Sequence, residues 1–319
     1  MSGCGSIWRL CGLTVLVLVL STGGLSAKNA LVAKKVKSAP KIDGKSESVW
    51  NSVKPEKIDL PGKFTVTAKA VYTDSHLYFL FQWPDKDESL NRVYVLEKGA
   101  WHKKQGNEDR FNLLWSVNDG IVGFVEKGCQ IACHKNKETG EGEMYTNGPG
   151  ERGDLWHWKS QRTDPLGYAD DQYLANEVDR SGDEATGRRT DQKSGGGYGD
   201  NWDEAKKRPK STFATGKGGP VLLKKDAQTV SDATSFPEGM VVPMEVLELP
   251  KGSRGDLAAK GVWSSGKWTL ELARKLNTGH DDDIQFGDLA KAYHFGISVH
   301  NNAGGDTHAT SEVIELKFK

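Results

Sequence analysis

The residues of this chain best suited to chemistry lie in one ten-residue stretch, KGCQIACHKN, residues 127–136, which holds Cys129, Cys133 and His134. Two thiols four positions apart, followed at once by an imidazole, suit three chemistries: a disulfide, a metal site or haem attachment. A bridge across three residues closes a very small loop, removes little chain entropy and leaves His134 without a role. A structural zinc site needs about four ligands, usually with a second Cys/His pair, and no such pair and no His-x-His or His-x-x-x-His spacing stands elsewhere. Haem uses all three residues. The thiols can form thioethers with the porphyrin vinyl groups, and the adjacent imidazole then reaches the iron. The usual signature has two residues between the cysteines; here Gln130, Ile131 and Ala132 make three.

The stretch from Glu143 to Leu174 supplies Met144 and then Trp156, His157 and Trp158. Aromatics and a thioether beside a Cys-Cys-His motif suit a large flat apolar ligand, although Trp156 and Trp158 would serve equally as core residues of a strand. Imidazole and thioether are both common haem ligands. With His134 as one axial ligand, the second candidates are His308 in GGDTHATS, Met144, and His300 in SVHNN. His157 is expected to line the pocket, and Arg152 and Arg162 could meet propionates in bidentate fashion. A further stretch, GHDDDIQFGD from Gly279, holds three adjacent aspartates. Oxygen ligands in a loop can hold calcium, but the spacing matches no known calcium loop, and a solvated acidic turn is the expectation.

Composition narrows the setting. The N-terminus has one basic residue, Arg9, a short apolar run from Leu13 to Leu20, and small residues ending at Ala27. That pattern is a secretory signal over residues 1–27, too short for a comfortable membrane span, and it points to a periplasmic or secreted protein. Cys4 and Cys11 leave with the signal, so the mature chain keeps only Cys129 and Cys133. The charges balance, 43 basic against 43 acidic, which excludes a polybasic field for nucleic acid or an anionic membrane. The remaining stretch, residues 28–319, has room for one large domain.

Alternation of period two recurs in KFTVTAKAVY, RFNLLWSV, KWTLELARKL, YHFGISV and EVIELKF, while HLYFLFQW is apolar on both faces. These patterns predict strands. No long 3.6-residue amphipathic repeat accompanies them. The expected fold is all-β, an antiparallel β-sandwich with long inserted loops and few short helices. Residues 127–155 and a polar stretch at about 178–219 are read as excursions from it, the second covering a ligand or partner.

The chain resembles the haem-binding domain shared by the gamma subunits of ethylbenzene dehydrogenase and dimethylsulfide dehydrogenase and by related periplasmic cytochromes c. The resemblance runs through APKIDGKSESVW, VYTDSHLYFLFQW, GCQIACH, MYTNGPGERGDLWHWKS, KWTLELARKL and YHFGISVHNNAGGDTH. It implies a non-catalytic electron-transfer subunit with one haem, beside an iron–sulfur subunit and a molybdenum catalytic subunit, or serving a soluble redox partner. In the dehydrogenase members the haem is b-type, held by methionine and lysine. Cys129, Cys133 and His134 depart from that pattern and suggest haem c, with haem b if the thiols are not attached. Carbohydrate-binding modules of a similar sandwich fold open in much the same way, so a secreted sugar-binding module without haem is the alternative.

Overall fold

In the computed structural model of the chain, the period-two segments are strands. The structure describes Met1 and residues 29–135, 142–179, 186–302 and 308–319, so the signal segment lies outside the described residues. Thirteen strands form the principal sheet: β1 (Asn29–Lys35), β2 (Glu56–Leu60), β3 (Phe64–Tyr72), β4 (His76–Pro84), β5 (Arg110–Ser116), β6 (Gly153–Lys159), β7 (Asp170–Asp179), β8 (Thr186–Thr190), β9 (Ala258–Ser264), β10 (Lys267–Lys275), β11 (Tyr293–His300), β12 (His308–Thr310) and β13 (Ile314–Phe318). Their spatial order is β8-β7-β6-β5-β11-β13-β1-β3-β4-β10-β9, with β2 on β3 and β12 on β11. Pairing is antiparallel except where β1 runs parallel to both β13 and β3.

The sheet doubles over on itself, because alternation leaves each half with one apolar face that must leave water. Phe111, Leu113 and Trp115 of β5, Trp156 and Trp158 of β6, and Phe295, Ile297 and Val299 of β11 form one wall of the core. Phe79, Phe81 and Trp83 of β4 and Trp268, Leu270 and Leu272 of β10 form the other. Rings meet across the gap, Phe81 with Phe111 at 4.7 Å and Trp158 with Trp268 at 5.0 Å between centroids. Gly261 of β9 is required for this packing, since a Cβ there would lie 2.4 Å from the Trp158 indole.

The doubly apolar β4 is buried on both faces. Its outer residues Tyr78 and Leu80 pack with Trp50 from the N-terminal segment. Trp50 Nε1 donates to Glu271 at 2.8 Å, and the backbone N–H groups of Asp43 and Gly44 donate to the other Glu271 oxygen. The N-terminal segment is therefore fixed to the outside of β10 through one carboxylate.

The two excursions are more ordered than the sequence suggests. Phe124–Lys127 form a short helix and Gly128–Ala132 a 3-10 turn, and Cys133–Lys135 pairs antiparallel with Gly142–Met144. The polar stretch at 178–219 contains β8 and the short strands Gly195–Asp200, Trp202–Asp203, Arg208–Pro209 and Ser211–Phe213. Gly195–Asp200 pairs with Glu245–Lys251. The pairing needs Gly196, at φ +74°, because a Cβ there would fall 2.2 Å from the Leu249 carbonyl oxygen. Strands built of glycine and polar residues pair by backbone alone and leave no alternation to read.

At one end of the sandwich the inner face of β10 turns from apolar to charged. Arg274 is 1% exposed and bonds Asp154 at 3.0 Å, Asp171 at 2.9 Å and Asp283. Its guanidinium lies over the Trp156 ring, 5.3 Å from the centroid. Burial raises Asp154 to about 7 and Asp171 well above the carboxylate range, with Arg274 opposing the shift in each. Removing the only cation of such a group strands buried charge, at a cost of about 3–5 kcal/mol. We therefore expect Arg274→Met to lower the unfolding free energy by about that much at pH 7, measured by urea denaturation. A carboxyl with a folded pKa above its unfolded value keeps its stability at low pH and loses it as pH rises, so the deficit should shrink toward pH 4. A variant as stable as wild type at pH 7 would show that the network contributes nothing.

Candidate functional site

β6 alternates between two buried environments. Asp154, Trp156 and Trp158 face the core, while Leu155, His157 and Lys159 face the outside of the sheet, where a second layer covers them. Register places the outward polar residues in rows. Asp170, His157, Asn112, Ser298 and Thr310 stand side by side on β7, β6, β5, β11 and β12. Lys159, Arg110, His300 and His308 form the next row on the same face. Directly opposed residues in an antiparallel sheet lie about 5 Å apart, so these side chains make one continuous polar patch.

Hydrogen bonds fix the imidazoles. His157 Nδ1 lies 3.0 Å from Gln172 Oε1, so Nδ1 carries the proton and Nε2 offers a lone pair. Asn112 Nδ2 donates to Ser298 Oγ at 3.0 Å and to His300 Nε2 at 3.1 Å, which puts the His300 proton on Nδ1. His157 Nε2, Asn112 Oδ1 and His300 Nδ1 are buried with no hydrogen-bond partner in the structure. Two acceptors and one donor thus lack partners within two adjacent rows. Burial holds both imidazoles well below the usual histidine range. Lys159 and Arg110 add to the effect at His157, and His308 and Arg110 at His300. Both rings are neutral at pH 7.

Charged residues close one end of the patch. Glu108 is fully buried and held at about 2: burial alone would raise it, and Arg162 and Arg110 outweigh that. Asp170 bonds Lys159 and Arg254, and the Tyr198 hydroxyl donates to it at 2.9 Å. The Tyr198 ring also lies within 4.7 to 5.1 Å of Lys159, Arg162 and Arg254. The polar stretch at 178–219 therefore supplies a lid residue to a buried ionic cluster.

The other end of the face is apolar. Leu114, Leu155 and Leu174 of the sheet are covered by Ile121, Phe124, Cys129, Ala132 and Val313. Cys129 and Cys133 are free thiols, the first buried and the second exposed, and Cys133 Sγ approaches the Cys129 carbonyl oxygen at 3.6 Å. Cys129 packs directly on β11, where a Cβ at Gly296 would lie 3.1 Å from Cys129 Cβ. Burial pushes its thiol up, away from thiolate. The His134 ring stacks on Tyr145 at 3.7 Å, and its Nε2 lies 3.2 Å from the Tyr145 carbonyl oxygen. Met144 faces Cys133 across the hairpin.

The sequence candidates therefore fall into three places. Cys129, Cys133, His134 and Met144 share the covering hairpin region; His157, His300 and His308 share the polar patch, with the last two stacked at 4.6 Å. Trp156 and Trp158 belong to the core, 1% exposed each. Arg162 pairs with Glu108, and Arg152 lies over the Tyr173 ring at 4.5 Å. The sequence reading missed Asn112, Ser298, Gln172 and Tyr198. Asn112 and Ser298 read as ordinary solvent-facing positions of alternating strands, and only the register shows that they stand between two histidines.

The fold is a β-sandwich with a row of buried polar groups on the outer face of one sheet. The chain matches the family model described as ethylbenzene dehydrogenase over residues 47–311, and it belongs to that family. No curated protein gave a significant match. Among solved structures it is similar to a family 9 carbohydrate-binding module from Caldicellulosiruptor kristjanssonii in complex with glucose, at 10% identity and TM-score 0.36, over 90% of this chain and 95% of that one. The same organism's family 9 module in complex with cellotriose matches at 9% identity and TM-score 0.35, over 91% and 95%.

These findings correct the expectation of a monohaem c-type cytochrome acting as an electron-transfer subunit. The described surroundings of the cysteine motif do not fit a porphyrin. The Cys129 thiol fills an apolar cluster against Gly296, and the His134 ring is engaged by Tyr145 on its face and at Nε2. The alternative of a binding module is the reading carried forward.

The neutral histidines make a pH prediction. The unfolded chain protonates histidine below about pH 6.5, while these native sites refuse the proton. Their contribution to stability is present above that pH and lost as pH falls. We expect His157→Gln and His300→Gln each to flatten the fall in urea midpoint between pH 7 and pH 5. A slope equal to that of wild type would mean that the native imidazole takes up the proton.

Proposed function

We propose that the protein is an exported, periplasmic carbohydrate-binding β-sandwich module that takes a polyhydroxylated ligand on the outer face of β6, β5 and β11. One observation carries this reading: His157 Nε2, Asn112 Oδ1 and His300 Nδ1 are buried, adjacent and without partners. An unmet buried polar atom costs about 1–3 kcal/mol, and a ligand that satisfies all three recovers that cost on binding. Sugar hydroxyls suit such a set because each both donates and accepts. A purely anionic ligand would meet the two acceptors with nothing to donate. Ser298 and the half-buried His308 extend the patch with further polar groups.

Trp156 and Trp158 form the core beneath the site and give the strand its rigidity. The recognition groups are the polar residues between and beside them.

The test is affinity electrophoresis of the mature chain against soluble glucans, xylans and mannans, followed by calorimetry on the best ligand. We expect saturable binding, and Asn112→Leu should weaken it tenfold or more, because a site that hydrogen-bonds its ligand discriminates strongly when one partner is removed. The exposed Asp281, remote from the patch in sequence and fold, serves as control, and Asp281→Asn should bind as wild type does. Retention of full affinity in Asn112→Leu, or no retardation by any polysaccharide, would overturn the proposal.

A further inference from the structure

The acidic run at 281–283 does not form the solvated turn that its sequence suggests. Asp281 is exposed and Asp282 half-exposed, but Asp283 is 2% exposed and turned inward. Thr278 Oγ1 donates to Asp283 at 2.5 Å, and Gln285 Nε2 donates to the Asp283 carbonyl oxygen at 3.3 Å, which together pin the loop. Across from it stands Asp191, just past the end of β8 and 3% exposed. Ser253 Oγ donates to Asp191 Oδ2 at 3.0 Å, while Oδ1 is buried with no partner.

One carboxylate oxygen from each of Asp191, Asp282 and Asp283 lies within 4.8 Å of the others. Asp154, Asp171 and Asp283 form a second such group, and Arg274 already occupies that one. The two groups share Asp283 and together hold five aspartates, of which Arg274 pairs with Asp154, Asp171 and Asp283. The fields that weigh most on Asp191 are those of Asp282, Asp154 and Asp283, all of the same sign. Together with burial they push its carboxyl up to about 8. A buried carboxylate with one oxygen left without a donor, facing two more carboxylates, has two ways to be stable: it keeps a proton, or it binds a cation.

We infer that Asp191, Asp282 and Asp283 form a site for a hard divalent cation of the calcium type, joining the loop after β10 to the end of β8. The donors are all oxygen, which selects calcium or magnesium over transition metals. Carboxylates supplied by a loop and a strand end suit the adaptable coordination of calcium, with bonds of about 2.3–2.6 Å, better than the strict octahedron of magnesium. Asp283 would link the site to the core, since its carboxylate is shared with Arg274. The inference stands apart from the sugar-binding face and does not depend on it.

The experiment uses the mature full chain stripped with EDTA and titrated with calcium chloride and with magnesium chloride by calorimetry, with melting temperatures in parallel. One calcium per chain is expected, bound more tightly than magnesium, with a rise of several degrees in melting temperature. Asp191→Asn and Asp282→Asn should each weaken calcium binding tenfold or more, and Asp281→Asn should leave it unchanged. Asp191→Asn is isosteric and removes a buried charge; should it fail to fold, the half-exposed Asp282 carries the test alone. If wild type gives neither heat nor a melting shift in millimolar calcium, or if Asp191→Asn or Asp282→Asn binds as wild type does, the inference is overturned and the carboxyl of Asp191 is held by a proton.

Discussion

β6 is buried along its whole length, on both faces, and the rest of the molecule is arranged around that fact. Seven consecutive buried residues that include an aspartate, a histidine and a lysine cannot be accommodated by apolar packing alone. Each polar group needs its own partner, because an unpaired buried charge costs several kcal/mol. Asp154 takes Arg274 across the sandwich, Lys159 takes Asp170 from the next strand, and His157 takes Gln172. The partners come from β10 and β7, so satisfying one strand fixes the mutual placement of both halves of the sheet.

That constraint also explains why the outer face is covered. A two-layer sandwich would leave Leu155, Leu114 and Leu174 in water. The helix, the turn and the paired strands Cys133–Lys135 and Gly142–Met144 exist in this fold to bury them, and Cys129 is one of the residues that do so. Beyond Leu155 the covered groups are polar. From His157 onward the sheet presents neutral imidazoles, an amide and a hydroxyl, backed by ion pairs that Tyr198 encloses. Opposite tendencies in pH follow from the two faces of one strand. The outer histidines lose stability as pH falls, whereas the inner aspartates around Arg274 lose it as pH rises.

Much of the fold was legible because alternation is a direct record of one-sided burial. β3, β5, β10, β11 and β13 could each be read from their own residues, and β4 announced its double burial by being apolar throughout. The site was harder to read. His157 was visible as a histidine between tryptophans, yet its neighbours Asn112 and Ser298 come from positions 45 and 141 residues away and carry no local signal. The surroundings of the cysteine motif were hidden for a related reason. Its spacing invites a reading as attachment chemistry, whereas the burial of Cys129 against Gly296 is a property of tertiary packing that no spacing reports. In the acidic run at 281–283 the burial of Asp283 was not legible, because the Arg274 that draws it inward sits in a strand whose own pattern reads as apolar.

The physical distinction between the two halves of the outer face then bears on function. Where the cover is apolar, the packing is complete and the groups are inert: the Cys129 thiol is held protonated by burial. Where the face is polar, three neighbouring atoms remain unsatisfied although the ion pairs beside them are fully formed. A fold that pairs Glu108 and Asp170 so thoroughly has the means to pair His157 Nε2 and Asn112 Oδ1 as well. Leaving them open costs stability, and that cost is retained where a ligand repays it. On the proposed reading, the unsatisfied atoms of these two rows, rather than the most reactive residues of the sequence, are the ones that meet the ligand.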